Sequence, residues 1–295
     1  MNEGQMYIRI WGVRGSVPVP GPETVKYGGN TACLEVYNDE GDRIILDAGT
    51  GLRAYGMSLD FSKKHNVDIF ISHPHWDHIN GFLFFPFIFI PDNTITIYGH
   101  RTFDYTLEDI VRGQMQYAYF PVRMEELAAE IKTVEILEGQ SFDKGHFHIK
   151  TAKLNHPVEC LAYRIEYNGK LFVYLADNEP YYNVYEDDDT EMQRFVEDMN
   201  NKLIEFVKDA DCVIADAQYL PSEFENKKGW GHSSTHHAVN MALKANVKHV
   251  LFFHHDPIRT DNDLDLIVQH YRNIVAGKGF NLKVDAAAEG SLIVL

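Results

Sequence analysis

Short apolar runs separated by turn-forming residues predict that the first 80 residues of the chain form β-strands and loops. Within these runs, apolar residues alternate with polar ones or follow one another directly, as in half-buried and fully buried strands. Glycine-punctuated loops at residues 12–18 and 27–31 follow the first run, and a turn at 38–42 joins the next two runs into a hairpin. Strands are predicted at residues 7–11, 32–37, 43–46 and 67–71.

The pattern becomes rich in aromatic residues after residue 81, and residues 82–138 are predicted to be an insertion. Aromatic stripes usually form core; the alternative is that Tyr117, Tyr119 or Phe120 forms a wall beside a substrate. Residues 179–189 are acidic and predict a solvated loop. Further strands are predicted at residues 94–98, 131–137, 147–154, 161–167, 170–176, 212–216, 247–253 and 291–295, and helices at 104–115, 124–130, 191–208, 236–245 and 261–276.

Four potential metal ligands follow the strand predicted at 67–71: His73, His75, Asp77 and His78. Their mutual repulsion and desolvation are costly unless a cation binds them. His73 and His75 are two residues apart on an extended turn, so they can face the same way. Asp77 and His78 begin a predicted helix and can face elsewhere, so one loop can supply two ligands to each of two neighbouring ions. The alternative interpretation is a histidine-rich surface loop that binds nothing in particular.

The segment 73–78, with the sequence HPHWDH, resembles the signature of the metallo-β-lactamase-fold hydrolases, which are mostly dinuclear zinc enzymes. The resemblance implies a four-layer αββα sandwich with the metals at one edge. It covers residues 1–295 as one domain, whose halves at 1–145 and 146–295 fit the two layers. It also implies ligands after later strands, and these positions hold His156, Asp177 and His254, with His255 as the alternative to His254.

The family pattern sorts these residues into two metal sites. A pair of ions about 3.5–4 Å apart can activate a bridging water as hydroxide and neutralise charge on a substrate oxygen. Because the ligands are imidazoles and carboxylates without a thiolate, zinc is the first choice, although manganese or iron tolerates the same set. The resemblance implies that Asp47 lies just behind the metals, where metal-bound imidazoles usually need a carboxylate or carbonyl on their other nitrogen. The resemblance implies that His73, His75 and His156 hold the first ion, that Asp77, His78 and His254 hold the second, and that Asp177 bridges them.

The loops at 12–18, 27–31 and 47–51 are similar to the opening of the tRNase Z-like and phosphodiesterase branch of this family. His232, between Gly231 and Ser233 and before a predicted helix, resembles the histidine with which that branch protonates the leaving oxygen. Asp216 is placed to orient it, as a carboxylate does in that branch. The implied catalytic residues are therefore His232, Asp216 and Asp77, the last also a metal ligand. The alternative for His232 is a surface histidine that precedes a helix.

Composition and cysteine content indicate the compartment in which we expect the protein. The chain has 295 residues, of which 45% are hydrophobic and 24% charged, an ordinary globular composition. Cys33, Cys160 and Cys212 are far apart in apolar contexts, which disfavours disulfides and favours a reducing compartment. The start lacks the apolar region of a signal peptide, and the longest apolar run, residues 82–90, is too short for a membrane helix. We therefore expect a soluble cytoplasmic protein that does not bind membranes.

The net charge of the chain bears on the size of the substrate that it can bind. A formal net charge of −16 repels polyanions, and no cluster of Lys and Arg offsets it. A large nucleic-acid substrate is therefore disfavoured, and the chain lacks the basic glycine-rich arm with which the tRNA-processing enzymes hold tRNA. We expect a dinuclear-metal hydrolase of small anionic phosphodiesters, cyclic nucleotides among them, with a homodimer left open. The alternatives are an endoribonuclease of the tRNA 3′-processing type, a hydrolase of a lactam, lactone or thioester, and a non-enzymatic metal-dependent sensor, which the intact ligand set disfavours.

Overall fold

The structure, a computed structural model, describes residues 4–183 and 190–295. Within these residues, two seven-stranded sheets are flanked by helices. The strands are β1 Met6–Gly12, β2 Cys33–Asn38, β3 Arg43–Leu46, β4 Asn66–Phe70, β5 Thr94–Gly99, β6 Glu130–Glu135, β7 Ser141–Lys144, β8 Phe147–Leu154, β9 Cys160–Tyr167, β10 Lys170–Leu175, β11 Cys212–Asp216, β12 His249–Phe253, β13 Lys283–Ala286 and β14 Leu292–Val294. The helices are α1 Gly51–Ser58, α2 Trp76–Ile79, α3 Leu107–Gly113, α4 Thr190–Val207, α5 Pro221–Phe224, α6 Thr235–Lys244 and α7 Asp261–Gly277.

The two sheets have matching topologies. The first runs β14-β1-β2-β3-β4-β5-β6 and the second β13-β12-β11-β10-β9-β8-β7. In each sheet four neighbouring strands are parallel: β3 to β6 in the first and β10 to β13 in the second. The strand β8 runs in the same direction as β10, because β9 is antiparallel to both. Within each sheet, the carboxyl ends of these strands therefore lie at one edge.

One apolar cluster fills the space between the sheets and another lies on the outer face of the first sheet. Met6, Ile8 and Ile10 of β1 are fully buried and alternate with half-buried residues, so β1 turns one face to the inner cluster. That cluster also contains buried residues of α6 and α7, which cover the second sheet, while α1 and α3 cover the first sheet. These layers confirm the predicted αββα sandwich.

The boundary between the layers differs from the prediction in two places. The strand β7 lies before residue 145 but belongs to the second sheet, and β14 returns from the end of the chain to pair with β1 of the first sheet. The strands β7 and β13 and the helices α1 and α5 were not predicted.

The prediction of a helix at 124–130 is wrong. Only a short 3₁₀ helix, Met124–Glu126, forms there, because the N–H groups of Ala128 and Ala129 donate to the carbonyl of Ile88 and Glu130 begins β6. Tertiary contacts thus override local helix propensity. The apolar run before β5 forms two 3₁₀ helices, Asn80–Phe84 and Pro86–Phe89, with its core side chains at Phe82, Leu83, Phe85, Phe87 and Ile88.

The rest of the aromatic insertion is more open than a core stripe. Tyr117 and Tyr119 are 66% and 78% exposed, so they do not belong to the core. Residues 184–189, most of the predicted acidic loop, and residues 1–3 lie outside the described residues. Among the helices of the described part, none is long and apolar enough to cross a membrane.

Candidate metal centre

The loop after β4 brings four of the predicted ligands to the carboxyl edge of the first sheet. His73 and His75 lie on its extended part, and His75 is the N-cap of α2. Asp77 and His78 lie in α2, as the sequence indicated. Because the backbone changes from extended to helical at this point, the two pairs of side chains face different groups of neighbours.

Strands of the second sheet bring the other candidates to the same edge. His156 lies two residues after β8, Asp177 two residues after β10, and His254 directly after β12. The candidate acid pair also meets this edge: Asp216 ends β11, and His232 precedes α6 by three residues. The matching direction of these strands explains why residues far apart in the chain converge.

The first group consists of His73, His75, His156 and Asp177. The Nδ1 atom of His75 lies 3.0 Å from Nε2 of His156. The Oδ2 atom of Asp177 lies 3.4 Å from Nε2 of His73 and 3.9 Å from Nε2 of His156. Three imidazole nitrogens and one carboxylate oxygen therefore face a common point.

The second group consists of Asp77, His78, His254 and the same Asp177. The Nε2 atoms of His78 and His254 lie 3.3 Å apart, and Oδ2 of Asp77 lies 3.0 Å from His254 Nε2. The other oxygen of Asp177, Oδ1, lies 3.2 Å from His78 Nε2 and 3.3 Å from His254 Nε2. Each oxygen of Asp177 thus faces one group, which is the arrangement of a bridging carboxylate.

Hydrogen bonding and charge both fit two divalent cations. Among the described residues, His73 Nε2 and Asp177 Oδ1 are buried without a hydrogen-bond partner, although such groups are normally satisfied. Burial lowers the pKa of His73, so its imidazole is in the neutral, metal-binding form. Burial would also lower the pKa of His78, but Asp177, Asp77 and Asp47 outweigh it and raise the pKa well above its usual value. The second group therefore demands positive charge, which a metal ion supplies.

Side chains behind the ligands fix their orientation. Asp47 is fully buried and accepts a hydrogen bond from His78 Nδ1 at 2.7 Å. The same carboxylate accepts bonds from the backbone N–H of Ser72 and from the hydroxyls of Ser72 and Tyr174. His156 Nδ1 donates to the carbonyl of Gly231 at 2.9 Å. These bonds leave the opposite nitrogens of His78 and His156 facing the two groups.

Three further supports were missed from the sequence. His254 Nδ1 donates to Oε1 of Gln218 at 2.9 Å, and the backbone N–H of Ser16 donates to Oδ2 of Asp77 at 2.6 Å. The Sγ atom of Cys160 lies 3.6 Å from Nδ1 of His73. Gln218 follows β11 at the edge where the candidate ligands meet, and Ser16 lies in the loop at 12–18 that resembles the family. No sequence signal marked Cys160.

The two histidines after β12 have different surroundings. The ring of His254 points into the second group, whereas Nε2 of His255 donates to the carbonyl of Ala287 at 2.9 Å. The ring of His255 also packs edge-on against Tyr27. The geometry therefore favours His254 over His255 as a ligand.

His232 lies beside both groups. Its Nδ1 donates to Oδ2 of Asp216 at 3.0 Å, and its ring stacks on that of His254 with centroids 4.7 Å apart. Burial alone would lower the pKa of His232, but the carboxylates of Asp216 and Asp177 outweigh it and raise the pKa to about 9. These four residues also form a third cluster of potential ligand atoms, which shares Asp177 and His254 with the second group.

Comparisons with known proteins agree with this fold. The model of the "Beta-lactamase superfamily domain" matches residues 42–255. Ribonuclease Z of Bacillus cereus (strain AH187) is 23% identical over 258 residues, covering 75% of this chain and 80% of the relative. The crystal structure of unliganded yeast PDE1 has a TM-score of 0.69 at 16% identity, covering 98% of this chain and 99% of that chain.

The crystal structure of the metallo-beta-lactamase fold protein YhfI from Bacillus subtilis has a TM-score of 0.68 at 21% identity and covers 99% of both chains. At these identities, the two structures show the fold that they share with this chain. The domain model extends over more than half of the chain and includes all seven candidate ligands. The chain therefore belongs to the beta-lactamase superfamily domain family, as a hydrolase with the metallo-β-lactamase fold.

Proposed function

We propose that the protein is a dinuclear-metal hydrolase of small phosphodiesters, cyclic nucleotides among them. When bound, the two ions would activate a water and offset negative charge on the substrate, and zinc suits the imidazole and carboxylate ligands. Manganese and iron are the other candidates. The first ion would be held by His73, His75 and His156, the second by Asp77, His78 and His254, and both by Asp177.

The observation that carries this proposal is the pair formed by His232 and Asp216. The ring of His232 stacks on that of His254 and lies 5.4 Å from that of His156, so it borders both groups. Because Nδ1 is engaged by Asp216, Nε2 is the nitrogen that can give a proton to a substrate. The chain thus supplies a proton donor in addition to seven metal ligands.

A proton donor matters for phosphodiesters because an alkoxide is a poor leaving group unless it is protonated as it departs. A thiolate leaves without a proton, so hydrolysis of a thioester would not need this pair. The pair therefore disfavours a thioester and favours a substrate whose leaving group must be protonated, as the alcohol of a phosphodiester must. The net charge of −16 favours a small substrate over a polyanion.

One observation favours a second candidate, a tRNA 3′-processing type of endoribonuclease: the relative from Bacillus cereus is named Ribonuclease Z. The same metal groups and proton donor would serve that reaction. Cleavage of a precursor tRNA, measured at several salt concentrations beside hydrolysis of a cyclic nucleotide, separates the two candidates. Faster turnover of the precursor tRNA would replace our proposal with this one.

Substitution of His232→Ala tests the role of the proton donor. We expect hydrolysis of a cyclic nucleotide to fall about 100-fold or more, a typical loss for a general acid, with a much smaller loss for bis(p-nitrophenyl) phosphate. The reason is that p-nitrophenolate leaves without a proton. His236→Ala, at an exposed histidine near the start of α6, is the matched control. Equal losses on both substrates would remove His232 from the acid role.

A substrate panel tests the reaction class independently of His232. We expect the unsubstituted protein to hydrolyse phosphodiesters, to leave nitrocefin and a thioester intact, and to lose activity when a chelator is added. Turnover of nitrocefin or the thioester, with no turnover of any phosphodiester, would overturn the substrate class. That result would not change the assignment of the two groups of candidate metal ligands.

A further inference from the structure

The side chain of Glu179, two residues after Asp177, binds the loop that leads to His232. Glu179 is 3% exposed, and its carboxylate accepts hydrogen bonds from the backbone N–H of Gly229 at 2.8 Å and from that of Gly231 at 2.8 Å. A carboxylate that accepts backbone N–H bonds makes strong, charge-assisted contacts. The loop at 229–231 is therefore attached to the segment that carries the shared carboxylate.

The backbone of Glu179 reaches the third segment of the centre. Its N–H donates to the carbonyl of Asn155 at 2.8 Å, directly before His156. Glu179 thus joins the segments that follow β8 and β10 to the loop before α6.

The loop held in this way sets the orientation of His156. The carbonyl of Gly231 accepts the bond from His156 Nδ1. Gly231 has φ of +86°, and a Cβ there would lie 2.3 Å from that same nitrogen, so the glycine packs directly against the ring. A shift of the loop would therefore move two things together: the carbonyl that accepts from His156 Nδ1, and the Gly231 backbone that packs against the ring of His156.

The three members that the second group does not share with the first have supports outside these contacts. His78 is oriented by Asp47, and His254 by Gln218. Asp77 accepts its bond from the backbone N–H of Ser16. None of these three supports belongs to the loop at 229–231.

We infer that Glu179 is a positioning residue for the first metal ion, acting through Gly231 and His156. This inference rests on the ligand assignment of the proposed function, but not on its substrate. Glu179 opposes Asp216, which accepts bonds from the N–H of Ser233 and from His232 on the other side of the same loop. The two buried carboxylates together hold the loop that supports both His156 and His232.

The test is a zinc titration of the metal-free protein against a chromogenic chelator, in two backgrounds. With His254→Ala, the second group is incomplete and the titration reports the first ion; with His156→Ala, it reports the second. We expect Glu179→Gln to lower zinc affinity about 10- to 100-fold in the first background, as changes behind a ligand do, and to leave the second unchanged. The amide keeps the shape of the side chain but removes its charge and directs N–H groups at backbone N–H groups.

Glu223→Gln is the matched control, because the carboxylate of Glu223 also accepts a backbone N–H, that of Leu220, but contacts neither group. It should leave zinc affinity unchanged in both backgrounds. If Glu179→Gln does not fold, Glu179→Asp makes the same test, since its carboxylate is one methylene too short to reach Gly231.

Equal loss of affinity in both backgrounds would assign Glu179 a general structural role and overturn the inference. Unchanged affinity in the His254→Ala background would overturn it too. Absence of zinc binding by the unsubstituted protein would instead overturn the proposed function, so the two failures are distinguishable.

Discussion

The two ligand groups share Asp177 but differ in how closely the protein encloses them. All members of the second group are buried, whereas His75 and His156 of the first group are half-buried residues. The exposed side chain of Trp76 follows His75 directly. The first group is therefore the more open of the two.

The groups also differ in the partners behind them. In the second group a buried carboxylate, Asp47, accepts from His78, and the side-chain amide of Gln218 accepts from His254. In the first group His156 donates to a loop carbonyl, and His73 lies beside the hydroxyl of Ser72 and a thiol. A charged partner raises the basicity of an imidazole and strengthens its bond to a metal. We therefore expect the second ion to be held more tightly and the first to exchange more easily.

Removal of the shared carboxylate should have the largest effect on metal content, because it weakens both groups at once. Asp177→Ala takes one oxygen from each group, so metal content should fall from about two ions to less than one, with loss of activity. Elemental analysis of the purified variant measures this. Asp143→Ala, at an exposed carboxylate, is the control. Full metal content in Asp177→Ala would show that the groups do not share this residue.

Substitution at the end of β12 should remove one ion and keep the other. His254→Ala is expected to lose the second ion and most of the activity, because the ring supplies an atom to that group. His255→Ala should keep both ions, because its ring donates to Ala287 instead. Metal analysis and activity of the two variants make the comparison. Loss of the ion in His255→Ala, with both ions kept in His254→Ala, would show that His255 is the ligand.

A change behind the second group should weaken it without removing a ligand. Asp47→Asn is expected to lower the affinity of the second ion about 10- to 100-fold, because the amide cannot replace the charge that orients His78. Zinc titration in the His156→Ala background measures this affinity. An unchanged value would mean that the charge of Asp47 does not strengthen the second group.

The smallest effect is expected behind the first group. Cys160→Ala should lower the affinity of the first ion only about 2-fold, the low end for a hydrogen bond, because a thiol is a weak partner and Ser72 still lies beside His73. Zinc titration in the His254→Ala background tests it. If Cys160→Ala lowered the affinity of the first ion as much as Asp47→Asn lowers that of the second, the two groups would not differ in the strength of the contacts behind their ligands.

The sequence was most informative where the chemistry is local. The motif from His73 to His78 contains two pairs of candidate ligands, whose separation follows from a change from extended to helical backbone at α2. His156, Asp177 and His254 were expected because the resemblance implies candidate ligands after later strands, and the structure brings these three strand ends to one edge. Most strands were readable from their apolar residues, whereas the sandwich was implied by the resemblance to the family.

Features that depend on tertiary contacts were not readable. The choice between His254 and His255 depends on which ring the backbone after β12 turns inward, and neighbouring histidines carry no sign of that. Glu179 lies in an acidic stretch that resembles a solvated loop, yet the fold buries its carboxylate against two glycine N–H groups. The strands β7 and β13 are short and mostly exposed or half-buried, so they lack a strong apolar pattern.

We propose that two unequal metal sites lie on either side of Asp177. Anomalous diffraction at the zinc edge, from crystals of the protein prepared with zinc, tests it most directly. We expect two peaks about 3.5–4 Å apart, one beside His73, His75 and His156 and one beside Asp77, His78 and His254, with higher occupancy in the second when zinc is limiting. A single peak, or a peak between Asp216 and His232, would contradict it.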